Sequence, residues 1–383
     1  MIPHSWRYVW NNGGGPLVRA ARGAAEALAR PRLTLSVPQG RGPVLAYAGL
    51  EHELTYVLPF LEQRRGTPSV RTRTGTSWAE LADGRAAAKA DILAVGHHRR
   101  RVPAQLPRHS LLLPFRITLT VPLDASDDPA AAVLRRISRK ARQQHARELR
   151  SRVRTLEVSR DEADFDSFYD HMHLPTMGRR HGDAARSEAK ESARTCIFRH
   201  GAMFFLCESG RRVAGMLCRL EGRTLVIRLA GVDGGSEEAY RSGTYMALFI
   251  LILQWAAEHG FTRVDLSGGE PFLSKGTFQF KRKMHPHVSL PPNHFRDRRL
   301  LVRVLRDSPE VRDFLVANPM LTLDEGGALQ AVHFHDDERP PRLDLRWQCP
   351  GVDGQRLVHL DAFLTGLPAR QSGHVLKRSE GAL

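Results

Sequence analysis

From residue 203 onward the chain alternates short apolar runs with tight turns. Residues 203–207, 213–220 and 224–230 are separated by Glu208-Ser-Gly-Arg211 and Glu221-Gly222, which predicts three antiparallel strands in a meander. A loop containing Gly231, Gly234, Gly235 and Gly243 then leads into residues 245–259. Their near-continuous apolar character predicts a buried helix, with Gly260 as its C-terminal stop. A further strand over 261–266 ends at Gly268-Gly-Glu-Pro271, a strand end of the kind on which sites are built. Upstream, the acidic entry 124–129 predicts a helix over 130–150, residues 156–158 a strand, and 161–172 a helix with Phe165, Phe168, Tyr169 and Met172 on one face. Closer to the N-terminus an Ala-rich helix is expected over 17–29. Apolar runs at 44–50, 91–95 and 110–121 between turn-rich segments predict a small α/β domain. The fold class is α/β, with mixed central sheets flanked by helices.

Charge changes this picture more than composition does. The chain has 383 residues, enough for two domains, and carries 57 basic against 41 acidic residues for a net charge of +16. Such a balance favours polyanionic partners: nucleic acid, anionic lipid or phosphorylated small molecules. Nine basic residues fall within 135–154 against the single acid Glu148, while the apolar positions of that helix form one narrow stripe. A solvated helix face mixes both signs. Arg135, Arg136, Arg139, Lys140 and Arg142 are therefore candidate RNA or phosphate contacts, the plain alternative being a solvated connecting helix. Cys196, Cys207, Cys218 and Cys349 show no metal-ligand or redox spacing, consistent with reduced thiols of a cytoplasmic protein. No basic region followed by an apolar core opens the chain, and the longest apolar run covers about half of the ~20 residues a bilayer requires. Stable membrane insertion is not expected.

Candidate chemistry concentrates in residues 265–284. The chain has seven lysines against fifty arginines, and three of them, Lys275, Lys281 and Lys283, lie in these twenty residues. A lysine offers a compact ammonium whose protonation can shift, which arginine does not. Asp265 and Glu270 lie at the strand end just before. Phe278 and Phe280 alternate as the core face of a strand would. A second polar segment, His173 to His181, joins a proline-broken helix end to Arg179 and Arg180 and suits an anionic or carbonyl-bearing ligand. His171 and His173 lack a third ligand nearby, and His333-Phe-His335-Asp-Asp-Glu338 reads as a solvated loop, so no metal is assigned.

The order of strands 203–230, loop, buried helix and strand 261–266 resembles the GNAT acyltransferase fold. More narrowly, Gly276-Thr-Phe-Gln-Phe280-Lys281-Arg-Lys-Met284 is similar to the Gly-(aromatic)-x-Phe-Lys ending of Fem-like transferases, which use aminoacyl-tRNA as donor, and of a related acyltransferase branch. The resemblance covers roughly 130–290. It implies tandem GNAT-like domains: a divergent N-terminal one over 1–125, a basic connecting helix over 126–155, a catalytic domain over 156–325 and an irregular extension over 326–383. CoA-using members carry Arg/Gln-x-x-Gly-x-Gly/Ala before the buried helix. Aligning Gly243 with its first glycine places Tyr240 and Tyr245 at flanking positions, where neither suits a pyrophosphate cradle.

The resemblance therefore implies an aminoacyltransferase that forms an amide bond from aminoacyl-tRNA to an amine on a small molecule or cell-wall precursor, with no further cofactor. Such a transfer needs a neutral amine, an oxyanion stabiliser and a proton for the departing ribose oxygen. Lys281 suits the last two tasks, and Asp265 or Glu270 could orient or deprotonate the amine, unless these acids cap the Gly268-Gly269 turn. Arg241, Gly243 and Tyr245, with Lys275 and Lys283, are donor-side candidates. His173, Arg179, Arg180 and His181 are acceptor-side candidates. Two alternatives stand beside this reading: an acyl-CoA N-acyltransferase in polysaccharide or natural-product assembly, and a non-catalytic RNA-binding protein on the same fold.

Overall fold

Strand Gly201–Glu208 shows why this chain folds as it does. Seven of its eight residues are buried, because both faces are covered and no alternation with polar residues is needed. Ala202, Phe204 and Leu206 point to the helix Thr244–Glu258, and Phe204 meets Trp255 with ring centroids 4.8 Å apart. Met203, Phe205 and Cys207 point the other way, into a cluster with Phe165, Phe168, Tyr169 and Met172. The computed structural model describes residues 3–82, 85–181 and 187–368.

This strand is part of a seven-stranded sheet with the order His287–Ser289, Thr118–Pro122, Arg263–Asp265, Thr224–Val232, Arg211–Glu221, Gly201–Glu208, Arg154–Ser159. Only Thr224–Val232 and Arg263–Asp265 pair in parallel within it. The expected meander and buried helix are thus present, the helix running from Thr244 to Glu258. A six-stranded sheet has the order Ser69–Gly75, Arg32–Pro38, Leu45–Gly49, Ile92–His98, Arg298–Val304, Ser110–Pro114. Met320–Leu323, Leu329–His335 and Gly354–His359 form a third, smaller sheet.

The two large sheets exchange strands. Residues Thr118–Pro122 leave the N-terminal region to join the seven-stranded sheet, here called the second, and Arg298–Val304 returns to the six-stranded one, the first. A cut at residue 125 therefore does not follow the sheets. The crossing segment 115–117 is buried at Phe115 and Ile117. The returning strand is locked by Arg298, 1% exposed, which donates to the 0% exposed Glu53 through both Nε and Nη2. Tyr47 donates to the same carboxylate at 3.1 Å.

Two local expectations are corrected. The basic helix expected over 130–150 is two helices, Pro129–Arg136 and Arg139–Ser151. The chain breaks where Ile137 turns extended and is buried while the Ser138 amide donates to Lys283 O at 2.8 Å. Phe278 and Phe280 lie not on a strand but on a short helix, Gly276–Lys281. Phe278 faces the core, and Phe280 packs on Tyr245 and Phe249 at 5.6 and 5.2 Å between ring centroids. A lone aromatic alternation over three residues cannot distinguish the two periods, and tertiary packing decides.

Candidate functional site

The parallel pair of the second sheet comes apart. Strand Arg263–Asp265 pairs with Thr224–Val232 only as far as Val226 opposite Asp265, after which its partner runs on to Val232 paired with Arg211–Glu221 on its other side. The separation begins where the partner strand shifts register between Ile227 and Leu229 and where Ser267 takes a left-handed conformation, φ 65°. Ser267 ties the fork together. Its amide donates to Asp265 Oδ1 at 2.8 Å and its hydroxyl donates to Ile227 O.

Into this fork the helix Gly276–Lys281 delivers Lys281. The helix is anchored by buried Phe278 and by Gln279, whose Nε2 donates to Leu273 O at 2.9 Å and Arg346 O at 2.8 Å. Lys281 Nζ then donates to Ser267 O at 3.1 Å. Burial pushes the Lys281 ammonium down to about 8. The nearby Asp265 charge opposes this shift and the Arg116 charge adds to it. Burial also raises the Asp265 carboxyl, against the Ser267 amide and the Lys281 charge, which favour its ionised form. An acid and a base with their pKa values drawn toward neutrality thus face one fork, an arrangement suited to proton transfer.

Beside the fork opens a cleft of about 1090 Å³ between the helix Glu51–Arg65 and the second sheet. Tyr56, Phe60, Arg116, Arg180, Arg228 and Lys275 are among its walls. Arg116 was not among the residues singled out from sequence. Its guanidinium lies 4.4 Å from the Tyr56 ring centroid and 5.6 Å from that of Phe295, and Nη1 is 3.4 Å from Glu270 Oε1. The only local signal was an arginine inside the apolar run 110–121.

The other expected site residues divide as follows. Glu270 is 2% exposed and held between Arg116 and Lys275, which places it behind the cleft wall as their counter-ion. Lys275 lines the cleft but is paired with that carboxylate. Lys283 lies at the break in the basic helix, and its ammonium is lowered by burial, then by Lys140 and Arg282. Arg180 lines the cleft, whereas Arg179 Nη1 turns to Gly235 O at 3.4 Å. His173 is 2% exposed, with Nδ1 3.0 Å from Ala230 O and Nε2 2.5 Å from Ser187 Oγ. Both ring nitrogens are thus engaged within the protein. The side chains of His181 and Arg241 lie outside the described residues. On the basic helices Arg135, Arg139 and Lys140 are exposed, while Arg136 pairs with Asp124 and Arg142 bonds Leu134 O.

At the start of the helix Thr244–Glu258, Gly243 adopts φ 75°, and the Glu148 carboxylate lies directly against it. Tyr245, expected on the donor side, packs its ring on Phe249 and Phe280 and so braces the Lys281 helix. Among the described residues, Glu26, His52 and His294 bring possible metal-ligand atoms within 4.8 Å of one another. Arg22 bonds Glu26 at 3.0 Å and Arg298 lies 3.7 Å from it, so two guanidinium groups already take the carboxylate and repel a further cation.

Residues 131–282 match the family model described as an acetyltransferase (GNAT) domain. Among solved structures, the chain is similar to FemX, at 12% identity over 80% of this chain and 96% of that one, with a TM-score of 0.39. It is similar to L-PGS from Bacillus licheniformis at 14% identity over 81% and 94%, with a TM-score of 0.36. A GCN5-related N-acetyltransferase from Sphaerobacter thermophilus matches at 12% identity over 74% and 84%, with a TM-score of 0.30. A comparison with curated protein sequences returns no match.

Proposed function

From the match of residues 131–282 to the GNAT-domain model, we propose that the chain is an aminoacyltransferase of the Fem-like kind, moving an aminoacyl group from a tRNA ester to an amine. The observation that carries this reading is the placement of Lys281 and Asp265 in one fork, with the ammonium drawn down to about 8 and the carboxyl drawn up. The ester is already activated, so no protein nucleophile is required. The amine nitrogen attacks the ester carbonyl, and its carbon–nitrogen bond forms as the carbonyl oxygen takes up negative charge. Lys281 stabilises that oxyanion as a cation in a partly dry site. The carbon–oxygen bond to the ribose then breaks. Asp265 receives the proton lost by the amine, and Lys281 supplies one to the ribose oxygen, so that one proton is taken and one given. Ser267 holds both partners in register through its amide and carbonyl.

The acceptor enters by the cleft. Of the basic side chains on its walls, Arg116 and Lys275 pair with Glu270 and Arg228 with Glu188, so Arg180 is our candidate for contact with an anionic group on the amine. The exposed Arg135, Arg139 and Lys140 are our candidates for contacts to the donor's phosphates, a role that the net charge of +16 also supports.

The test is to incubate the purified protein with total aminoacyl-tRNA and candidate amines, with and without prior RNase, and in parallel with acyl-CoA. RNase-sensitive amide product is the expected result. CoA-dependent product in its place would transfer the assignment to an acyl-CoA N-acyltransferase. RNA retention with no product under any condition would leave a binding protein.

A further inference from the structure

The helix Pro16–Leu28 is turned inside out. Its charged residues Arg19, Arg22 and Glu26 recur at the spacing of one helix face, and that face is the one laid against the protein. Arg19 Nη2 donates to Asp297 Oδ2 at 2.7 Å, and Arg22 Nε donates to Glu26 Oε1 at 3.0 Å. Arg22 Nη1 also donates to Trp10 O at 2.9 Å and to Asn11 Oδ1 at 2.8 Å, which ties this helix to the preceding one, His4–Asn12. Every exposed residue of Pro16–Leu28 is apolar: Leu17 and Leu28 near its two ends, 84% and 88% exposed, with Pro16 and alanines for the rest. A helix facing water alone has the opposite arrangement.

The preceding helix continues the pattern. Its buried side chain is Tyr8, with the guanidinium groups of Arg219 and Arg228 at 4.7 and 5.3 Å from the ring centroid. Trp6 and Trp10, one turn apart, are exposed, and so is Val9. A Cβ on Gly13 would stand 3.4 and 3.5 Å from methyl carbons of Val9 and Val18, and Trp10 and Ala25 line one cavity, so the apolar side chains of the two helices adjoin. Among the described residues thirteen large hydrophobic side chains are exposed, and five of them fall between Trp6 and Leu28, which is a patch and not the single scatter of an ordinary surface. Its rim is basic. Arg7 and Arg30 are exposed, and Arg101, from the exposed run Arg99–Arg101, donates through Nη2 to Ala27 O at 3.1 Å, which brings that run against the patch. Glu26, buried, is the single acid in the first fifty residues.

We infer that the helices His4–Asn12 and Pro16–Leu28 form a docking surface for an anionic lipid bilayer, on which they lie with Leu17, Leu28 and the two indoles at the acyl-chain boundary and the arginines among the headgroups. An apolar helix face, indoles at its border and flanking arginines are the components of interfacial binding, and the rim charge is complementary to anionic lipid. Alanine is depleted in protein–protein interfaces, so a face covered by alanine fits lipid better than a second copy of the chain. The helices lie on the bilayer and do not cross it, since among the described residues no helix is long and apolar enough to span one. Docking needs neither donor nor acceptor and is independent of the reaction proposed above.

The full chain is sedimented with vesicles of equimolar phosphatidylcholine and phosphatidylglycerol, and with vesicles of phosphatidylcholine alone. The wild type should pellet with the anionic vesicles and far less with the neutral ones. Leu17→Gln combined with Leu28→Gln keeps the net charge and should lower partitioning into the anionic vesicles by roughly tenfold or more. Arg30→Gln combined with Arg100→Gln should lower it by roughly tenfold and leave the neutral vesicles little changed. All the substituted side chains are exposed, so thermal unfolding should show both variants folded as the wild type is. Failure of the wild type to bind anionic vesicles would overturn the inference. Unchanged binding in the leucine variant would do the same, because it would reduce the attraction to net charge alone. Sedimentation velocity without lipid tests the rival occupant: a wild-type dimer that the leucine variant turns into a monomer would give the face to a second copy and overturn the inference, whereas a monomer in both supports it.

Discussion

Lys281 Nζ donates to the carbonyl oxygen of Ser267 at 3.1 Å, and the amide of the same serine donates to Asp265. One residue with a left-handed backbone therefore holds the candidate acid and the candidate base on its two sides. Lys281→Ala should lower turnover by roughly a hundredfold to a thousandfold, the cost of removing an oxyanion donor. Donor affinity should change far less, since the ammonium gains most of its interaction energy in the transition state. Single-turnover rates together with aminoacyl-tRNA filter binding measure the two effects separately. Equal activity in the variant would take Lys281 out of the mechanism.

The pH dependence follows from the direction of the Lys281 shift. Its ammonium is carried below a pKa of about 8 and lost above it, two or more units earlier than an exposed lysine. Loss of the ammonium should make activity fall as pH rises through that point, while the need for an ionised Asp265 and a neutral amine sets a separate rising limb, after correction for spontaneous ester hydrolysis. Arg116→Met removes a like charge and leaves the Glu270 carboxylate less compensated. Both changes favour the ammonium, so the falling limb should move to higher pH. A limb that stays in place, or moves lower, would show that Arg116 does not tune Lys281.

Arg180 gives a test of the cleft. It lines the cavity beside Arg116 and Arg228. Arg180→Ala should raise KM for an anionic amine acceptor by about tenfold, the value of one charge-assisted contact, and leave kcat within about twofold. Repeating the measurement with an uncharged amine of similar size should show no such increase. A fall in kcat with KM unchanged would place Arg180 at the reacting groups.

The strand exchange depends on one buried ion pair. Arg298 and Glu53 are 1% and 0% exposed, and they join the returning strand Arg298–Val304 to the helix Glu51–Arg65. Arg298→Met should cost about 3–5 kcal/mol of stability, because it strands a carboxylate in the core. The double variant Arg298→Met with Glu53→Leu should recover much of that loss, since apolar replacements of a buried pair approach neutrality. Urea unfolding curves with matched slopes compare the two.

Much of the second sheet was legible in the linear chain. The meander over 203–230, the buried helix near 245–259 and the strand before Gly268 each follow from a local period and its turn residues. The helix around Phe278 and Phe280 was misread as a strand, because the fragment is shorter than either period needs. Lysine usage marked Lys275, Lys281 and Lys283 together, the resemblance of the Phe-Lys ending pointed to Lys281, and the fork places it near Asp265.

What the sequence determined by itself, then, is what short-range physics encodes: apolar periodicity, breakers, charge bias and a lone lysine cluster. Only the tertiary structure decided which charges remain open to a ligand. Glu270 is consumed by Arg116, 154 residues away, and by Lys275; Glu148 is consumed by Arg154, whose other nitrogens meet Glu208 on a neighbouring strand. No local pattern carries such pairings, because a buried charge is settled by whichever opposite charge the folded backbone brings within hydrogen-bond reach. The crossing of Thr118–Pro122 and Arg298–Val304 between sheets is of the same kind, since strand partners are chosen by long-range register and not by neighbours in the chain.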